Sequence, residues 1–169
     1  CPEWVIADMA VQCAGGVVVG IYATNAWQQV EYVIRDSESK FFFVENEEQL
    51  DKWLQFRENA PLLKKVVVWD LEGLRHFKDP AVMTFDEILE LGKRSAEEVP
   101  EMFEHSIDSV QAEDVATLIY TSGTTGPPKG AMLTQRNLTW MGRAITRDNP
   151  MHDRDEVMSF LPLCHVFEQ

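Results

Sequence analysis

The residues best suited to chemistry stand in one stretch, Tyr120-Thr121-Ser122-Gly123-Thr124-Thr125-Gly126-Pro127-Pro128-Lys129-Gly130. From Thr121 to Gly130 the ten residues hold four hydroxyls, three glycines, two prolines and one lysine. Glycine lets the backbone turn until successive N–H groups point into one concavity, which suits an anion. The hydroxyls add donors for phosphate oxygens and an oxygen for a metal ion. Lys129 supplies a compact positive charge, and Pro127-Pro128 stiffen the approach to it. Together these groups suit a grip on phosphate oxygens.

The spacing differs from a Walker A loop, which needs Gly-x-x-x-x-Gly-Lys followed by Ser or Thr. Lys129 lies three residues after Gly126 and is followed by Gly130, so P-loop kinase and GTPase readings are disfavoured. A flexible Ser/Gly/Thr linker is the plainer alternative. The rigid Pro-Pro-Lys ending and the apolar runs on either side argue against it. A second candidate is His165, after an expected strand Val157–Leu161 and a break at Pro162. Ligands of open α/β sheets favour the C-terminal edge of such a strand; a histidine satisfied by backbone partners is the alternative. Cys164 adjoins His165, but neighbours on an extended segment point to opposite faces and do not form a Cys–His pair. His76, His105 and His152 lie in polar connections without metal-ligand spacing, so zinc is not expected.

The elements that must position this loop read as alternating helices and strands. Residues 3–14 form a mostly buried helix stopped by Gly15-Gly16. Val17–Tyr22 is a strand, and Thr24 or Asn25 caps a helix from Ala26 to Asp36. Lys40–Val44 is a strand; Glu47–Asn59 is a helix with Leu50, Trp53, Leu54 and Phe56 as its apolar stripe. Lys65–Trp69 is a buried strand, and Asp70–Pro80 a polar connection. Thr84 and Glu87 make a capping box for a helix through about Leu91, ended by Gly92. Residues 94–112 read as a surface excursion with one short helix. Val115–Ile119 and Ala131–Leu133 are strands around the loop, and Thr134 caps a helix from Gln135 to Arg147. The five tryptophans, Trp4, Trp27, Trp53, Trp69 and Trp140, read as packing anchors. This order implies an α/β fold, a mostly parallel sheet with helices on both faces. It reads as one domain over 1–169, with a soft boundary near 94–112.

The 169 residues are 45% apolar, and a chain of this size buries about 70% of its unfolded surface. A net charge of −13, from 28 acidic against 15 basic residues, argues against a nucleic-acid partner and against simple docking on anionic lipid. No apolar run approaches the roughly 18 residues of a membrane span. The three cysteines, Cys1, Cys13 and Cys164, are far apart and odd in number, so a reducing, cytoplasmic setting is expected. Peripheral membrane association stays open.

The loop strongly resembles the phosphate-binding signature of the adenylate-forming superfamily of acyl-CoA synthetases, luciferases and peptide-synthetase adenylation domains. Ser159-Phe160-Leu161-Pro162-Leu163-Cys164-His165-Val166-Phe167-Glu168 resembles a following motif in its long-chain fatty acyl-CoA synthetase form. Met132–Leu138 and the opening Pro2-Glu3-Trp4-Val5-Ile6-Ala7-Asp8 are similar to the same branch. The resemblance implies part of the large N-terminal domain of an enzyme several hundred residues long, this chain being an internal piece of it. It implies ATP, Mg²⁺ and CoA as cofactor and co-substrates, a fatty acid as substrate, and the remainder of the same enzyme as partner. Thr121, Ser122, Gly123, Thr124, Thr125 and Gly126 would hold the β- and γ-phosphates, with Lys129 bracing them. Thr121 is the candidate hydroxyl for Mg²⁺, with capping of the loop backbone as its alternative. His165 would lie beside the acyl-adenylate. Phe160, Val166 and Phe167 read as core in preference to an acyl tunnel. The adenine and ribose contacts, the metal-ligating glutamate and the adenylation lysine would lie C-terminal to Gln169, so the isolated piece is expected to lack ligase activity. Two other readings remain: another adenylating ligase, acting on aryl or amino acids, and a non-catalytic nucleotide-binding module.

Overall fold

The computed structural model describes residues 1–121, 126–148, 152 and 154–156. The elements run α1 (Pro2–Cys13), β1 (Val18–Val19), α2 (Trp27–Asp36), β2 (Phe41–Val44), α3 (Glu47–Phe56), a 3₁₀ turn (Arg57–Asn59) and β3 (Lys65–Val68). Then come β4 (Val82–Thr84), α4 (Phe85–Glu98), α5 (Met102–Ser109), β5 (Val115–Thr121), β6 (Lys129–Thr134) and α6 (Gln135–Asp148). The chain divides into two compact units, one of residues 1–7 and 21–105, the other of 8–20 and 106–169.

The first unit is built on the parallel sheet β2-β3-β4, with Phe41 opposite Lys65, Val44 opposite Val68 and Val68 opposite Thr84. Its central strand carries three consecutive valines. Val66 and Val68 face a cluster with Val30, Ile34, Leu50, Trp53 and Phe56 from α2 and α3. Val67 points the other way and is equally buried. Burial on both faces is what a parallel strand requires and why its sequence does not alternate. Each of these side chains contributes about 1.5–3 kcal/mol by leaving water. Asn46 starts α3 by accepting from the Gln49 N–H at 3.2 Å. Thr84 and Glu87 form the expected capping box: the Glu87 N–H reaches Thr84 Oγ1 at 3.1 Å, and the Thr84 N–H reaches Glu87 Oε2 at 2.7 Å.

The second unit is built on the sheet β1-β5-β6. β5 is central, parallel to β1 (Val18 opposite Thr117) and antiparallel to β6. Three of the four strand pairings among the described residues are therefore parallel, the mixed α/β pattern that alternating strands and helices imply. α1 ends where expected: Gly15 takes φ +71, and the Gly16 N–H returns to the Val11 carbonyl at 2.8 Å, a Schellman closure.

Several expectations change. Neither Thr24 nor Asn25 caps α2; the position is taken by Ala26, whose N–H donates to the Gln29 side chain at 3.0 Å. α1 is not mostly buried, because Val5, Ile6 and Met9 are about half exposed. β1 spans two residues instead of the six from Val17 to Tyr22, and Ile21 already packs on the first unit's core. β4 forms just after the polar connection Asp70–Pro80, where no strand was expected; three residues are too few to show a period in sequence. α4 runs through Gly92 to Glu98, because the helix formers after Gly92 outweigh a glycine cost of about 1 kcal/mol. Trp140 is no packing anchor: it is 72% exposed. The expected strand Val157–Leu161 lies outside the described residues.

Candidate functional site

β5 carries the chain from the middle of its sheet to the loop. Ala116 and Thr117 are buried there, and Thr121 closes the strand, exposed at its C-terminal end. β6 starts at Lys129, and the register pairs Thr121 with Lys129 and Tyr120 with Gly130. Directly paired residues share a face, and successive residues alternate. Thr121 and Lys129 therefore stand on one face at the mouth of the loop, Tyr120 and Gly130 on the other. The loop joins two antiparallel neighbours, the strand-to-strand connection that the sequence suggests.

Gly126 is exposed with φ +91, and a Cβ built there would meet nothing within 4 Å. The requirement for glycine is thus conformational: an L side chain at this angle is strained whatever the space. Lys129 is exposed and forms no ion pair among the described residues. The structure thus pairs Thr121 with Lys129. Ser122, Gly123, Thr124, Thr125 and His165 lie outside the described residues, as do Phe160, Cys164, Val166 and Phe167. His76, His105 and His152 are all exposed.

One feature of this unit escaped the sequence reading. Asp8 is buried; its Oδ2 accepts from the Gln12 amide at 3.2 Å, and its Oδ1 has no partner among the described residues. Burial pushes the Asp8 carboxyl above the usual carboxylate range, and the Gln12 bond pulls it part of the way back. The Thr117 hydroxyl on β5 is likewise buried and unpaired among the described residues. A lone aspartate inside Val5-Ile6-Ala7-Asp8-Met9-Ala10 is the signal that could have exposed it. No helix among the described residues is long and apolar enough to cross a membrane.

The chain superposes with a TM-score of 0.70 on a long-chain-fatty-acid-CoA ligase, FadD1 of Archaeoglobus fulgidus, at 21% identity, covering 99% of this chain and 30% of that one. It superposes with a TM-score of 0.65 on ATP-bound MatB of Rhodopseudomonas palustris, at 20% identity, covering 98% and 29%. At such identities the likeness establishes the fold, a mixed α/β architecture shared with these proteins.

The family model described as AMP-binding enzyme matches residues 1–169, and the chain belongs to that family. Among curated relatives, the human long-chain-fatty-acid–CoA ligase ACSBG2 is 39% identical over 170 residues, which cover 99% of this chain and 24% of the relative. The chain spans about a quarter of the length of the curated relatives it matches.

Proposed function

We propose that this chain supplies the phosphate grip, and part of the acyl site, of an enzyme that activates a long-chain fatty acid with ATP and transfers it to CoA. A carboxylate oxygen of the fatty acid attacks the α-phosphorus of ATP. The new O–P bond forms as the bond to the β-phosphate oxygen breaks, and pyrophosphate leaves. The CoA sulfur then attacks the acyl carbon, giving up its proton. The C–S bond replaces the C–O bond to AMP, and AMP leaves.

Both pyrophosphate and the entering ATP are polyanions, so the first step needs donors and positive charge fixed in advance. The single observation that carries the reading is the paired, exposed Thr121 and Lys129 at the mouth of a loop that turns through a left-handed Gly126. In this reading Lys129 is a catalytic group bracing the phosphates, and Thr121, Ser122, Gly123, Thr124, Thr125 and Gly126 bind them. The donor set of hydroxyls and one ammonium fits triphosphate oxygens, and the Thr121 hydroxyl fits one ligand position of a hard cation. Mg²⁺ bound there would neutralise phosphate charge. His165 would orient the carboxylate. The human relative's name supports the fatty-acid branch.

ATP–pyrophosphate exchange tests the reading, run on the complete protein that contains this chain with fatty, aryl and amino acids in turn. Exchange dependent on long-chain fatty acids is the expected result. Exchange with aryl or amino acids alone moves the substrate to another adenylating branch. No exchange with any acid leaves a non-catalytic nucleotide-binding module. Residues 1–169 alone are expected to form no acyl-CoA.

A further inference from the structure

We propose that Tyr120 is a positioning residue of the phosphate grip, its ring packing on Gly130 to hold β6 in the register that presents Lys129. The inference rests on the functional reading above. A Cβ built on Gly130 would lie 3.3 Å from both Cε2 and Cζ of Tyr120 and 3.5 Å from its Oη. The ring therefore occupies the space that any other residue's side chain would enter. The two residues are direct cross-strand partners, one step from the Thr121–Lys129 pair.

The arrangement answers a weakness in β6. Among the described residues that strand is the edge of its sheet, and a glycine within it has no side chain with which to pack. A cross-strand aromatic over an edge glycine restores the missing contact and pins the register. The pin matters because a slip of one residue carries every side chain to the opposite face. A slip would turn Lys129 away from the Thr121 face of the loop. Tyr120 itself stands on the face opposite Thr121 and Lys129, so it acts on the phosphates through the β6 backbone, without touching them.

The test uses the complete protein and four variants, Tyr120→Phe, Tyr120→Ala, Gly130→Ala and the double Tyr120→Ala/Gly130→Ala. KM for ATP, KM for fatty acid and kcat are measured for each, with urea unfolding to verify folding. Tyr120→Phe keeps the ring and should stay within about twofold of the parent. Tyr120→Ala should raise KM for ATP by about tenfold or more while leaving KM for fatty acid unchanged, since small misplacements of a binding group are costly. Gly130→Ala should raise KM for ATP in the same direction but by less, because its methyl, 3.3 Å from the ring, obliges the ring to give by a few tenths of an ångström. The double variant should be better than the product of the two single effects, because the ring that the added methyl approaches is then gone. If Tyr120→Ala does not fold, Tyr120→Leu, which keeps bulk and loses the flat ring, replaces it with the same expectation. Active variants with an unchanged KM for ATP, or single effects that simply multiply, overturn the inference alone. A parent without ATP–pyrophosphate exchange overturns the functional reading and this inference with it.

Discussion

Thr121 and Lys129 face each other as the last pair of the β5–β6 ladder before the chain turns. The register sets the two residues directly opposite each other with both side chains on one face of the ladder. A backbone already in place at an anion site loses little entropy when the ligand arrives.

Lys129→Ala is accordingly expected to lower ATP–pyrophosphate exchange in the complete protein by about 100-fold, a loss typical of one fixed charge at a phosphate transition state. Lys129 is exposed, so stability should change by less than about 0.5 kcal/mol. Exchange rates and thermal unfolding measured together check both halves. A large fall in stability would make Lys129 a structural residue.

Gly126→Ala separates backbone conformation from space. Nothing lies within 4 Å of the added carbon, while φ is +91. The whole cost is then conformational, about 1–2 kcal/mol. Gly126→Asn should cost less, since asparagine enters the left-handed region more readily. Urea midpoints of the two variants give the order, and equal midpoints would refute the conformational account.

Two aromatic residues on helices predict opposite outcomes. Phe56 is 1% exposed inside the α2–α3–β3 cluster, whereas Trp140 on α6 is 72% exposed. Phe56→Ala should destabilise by about 3–5 kcal/mol; Trp140→Ala should stay within about 0.5 kcal/mol. Chemical denaturation of both variants decides it, and a comparable loss at Trp140 would mean that the residue is covered in solution.

Two aspartates give pH dependences of opposite sign. Asp79 accepts from the Ala81 N–H at 2.8 Å and from the Arg57 guanidinium at 2.5 Å, and Arg57 also lies 4.8 Å from the centre of the Trp53 ring. The Ala81 bond first, and then Arg57, hold the Asp79 carboxyl below the usual carboxylate range. A folded value below the unfolded one stabilises above the unfolded pKa, and that stability is lost as the pH falls below about 4. Asp79→Asn should therefore cost about 1 kcal/mol at pH 7 and much less at pH 3. Burial raises the Asp8 carboxyl instead. Its favourable contribution is present at low pH and lost as the pH rises through the folded value. Asp8→Asn should therefore raise stability at pH 7 and leave it nearly unchanged at pH 3. Unfolding free energies at the two pH values read both signs, and a destabilised Asp8→Asn at pH 7 would be incompatible with a desolvated carboxylate.

A motif carried in consecutive residues can be proposed without coordinates. The hydroxyls, glycines, prolines and lysine of 121–130 are contiguous in sequence, so the expectation of a phosphate grip follows from their types and spacing alone. The Thr84–Glu87 box and the Gly15-Gly16 stop were legible for the same reason, since each is closed by bonds within a few residues. The Val66–Val68 run announced a strand buried on both faces, because such a strand has no polar side to show.

Only the tertiary structure decided what depends on distant neighbours. The Tyr120–Gly130 contact exists because a particular antiparallel register sets those residues opposite each other, and composition does not encode register. Asp8 stands out in sequence only as a lone aspartate in an apolar run; burial is what raises its carboxyl. Trp140 and Trp53 look alike as helical aromatics, yet one is bare and the other enclosed. Local bonds can be read from local residues, whereas burial and cross-strand partnership are properties of where the rest of the chain goes.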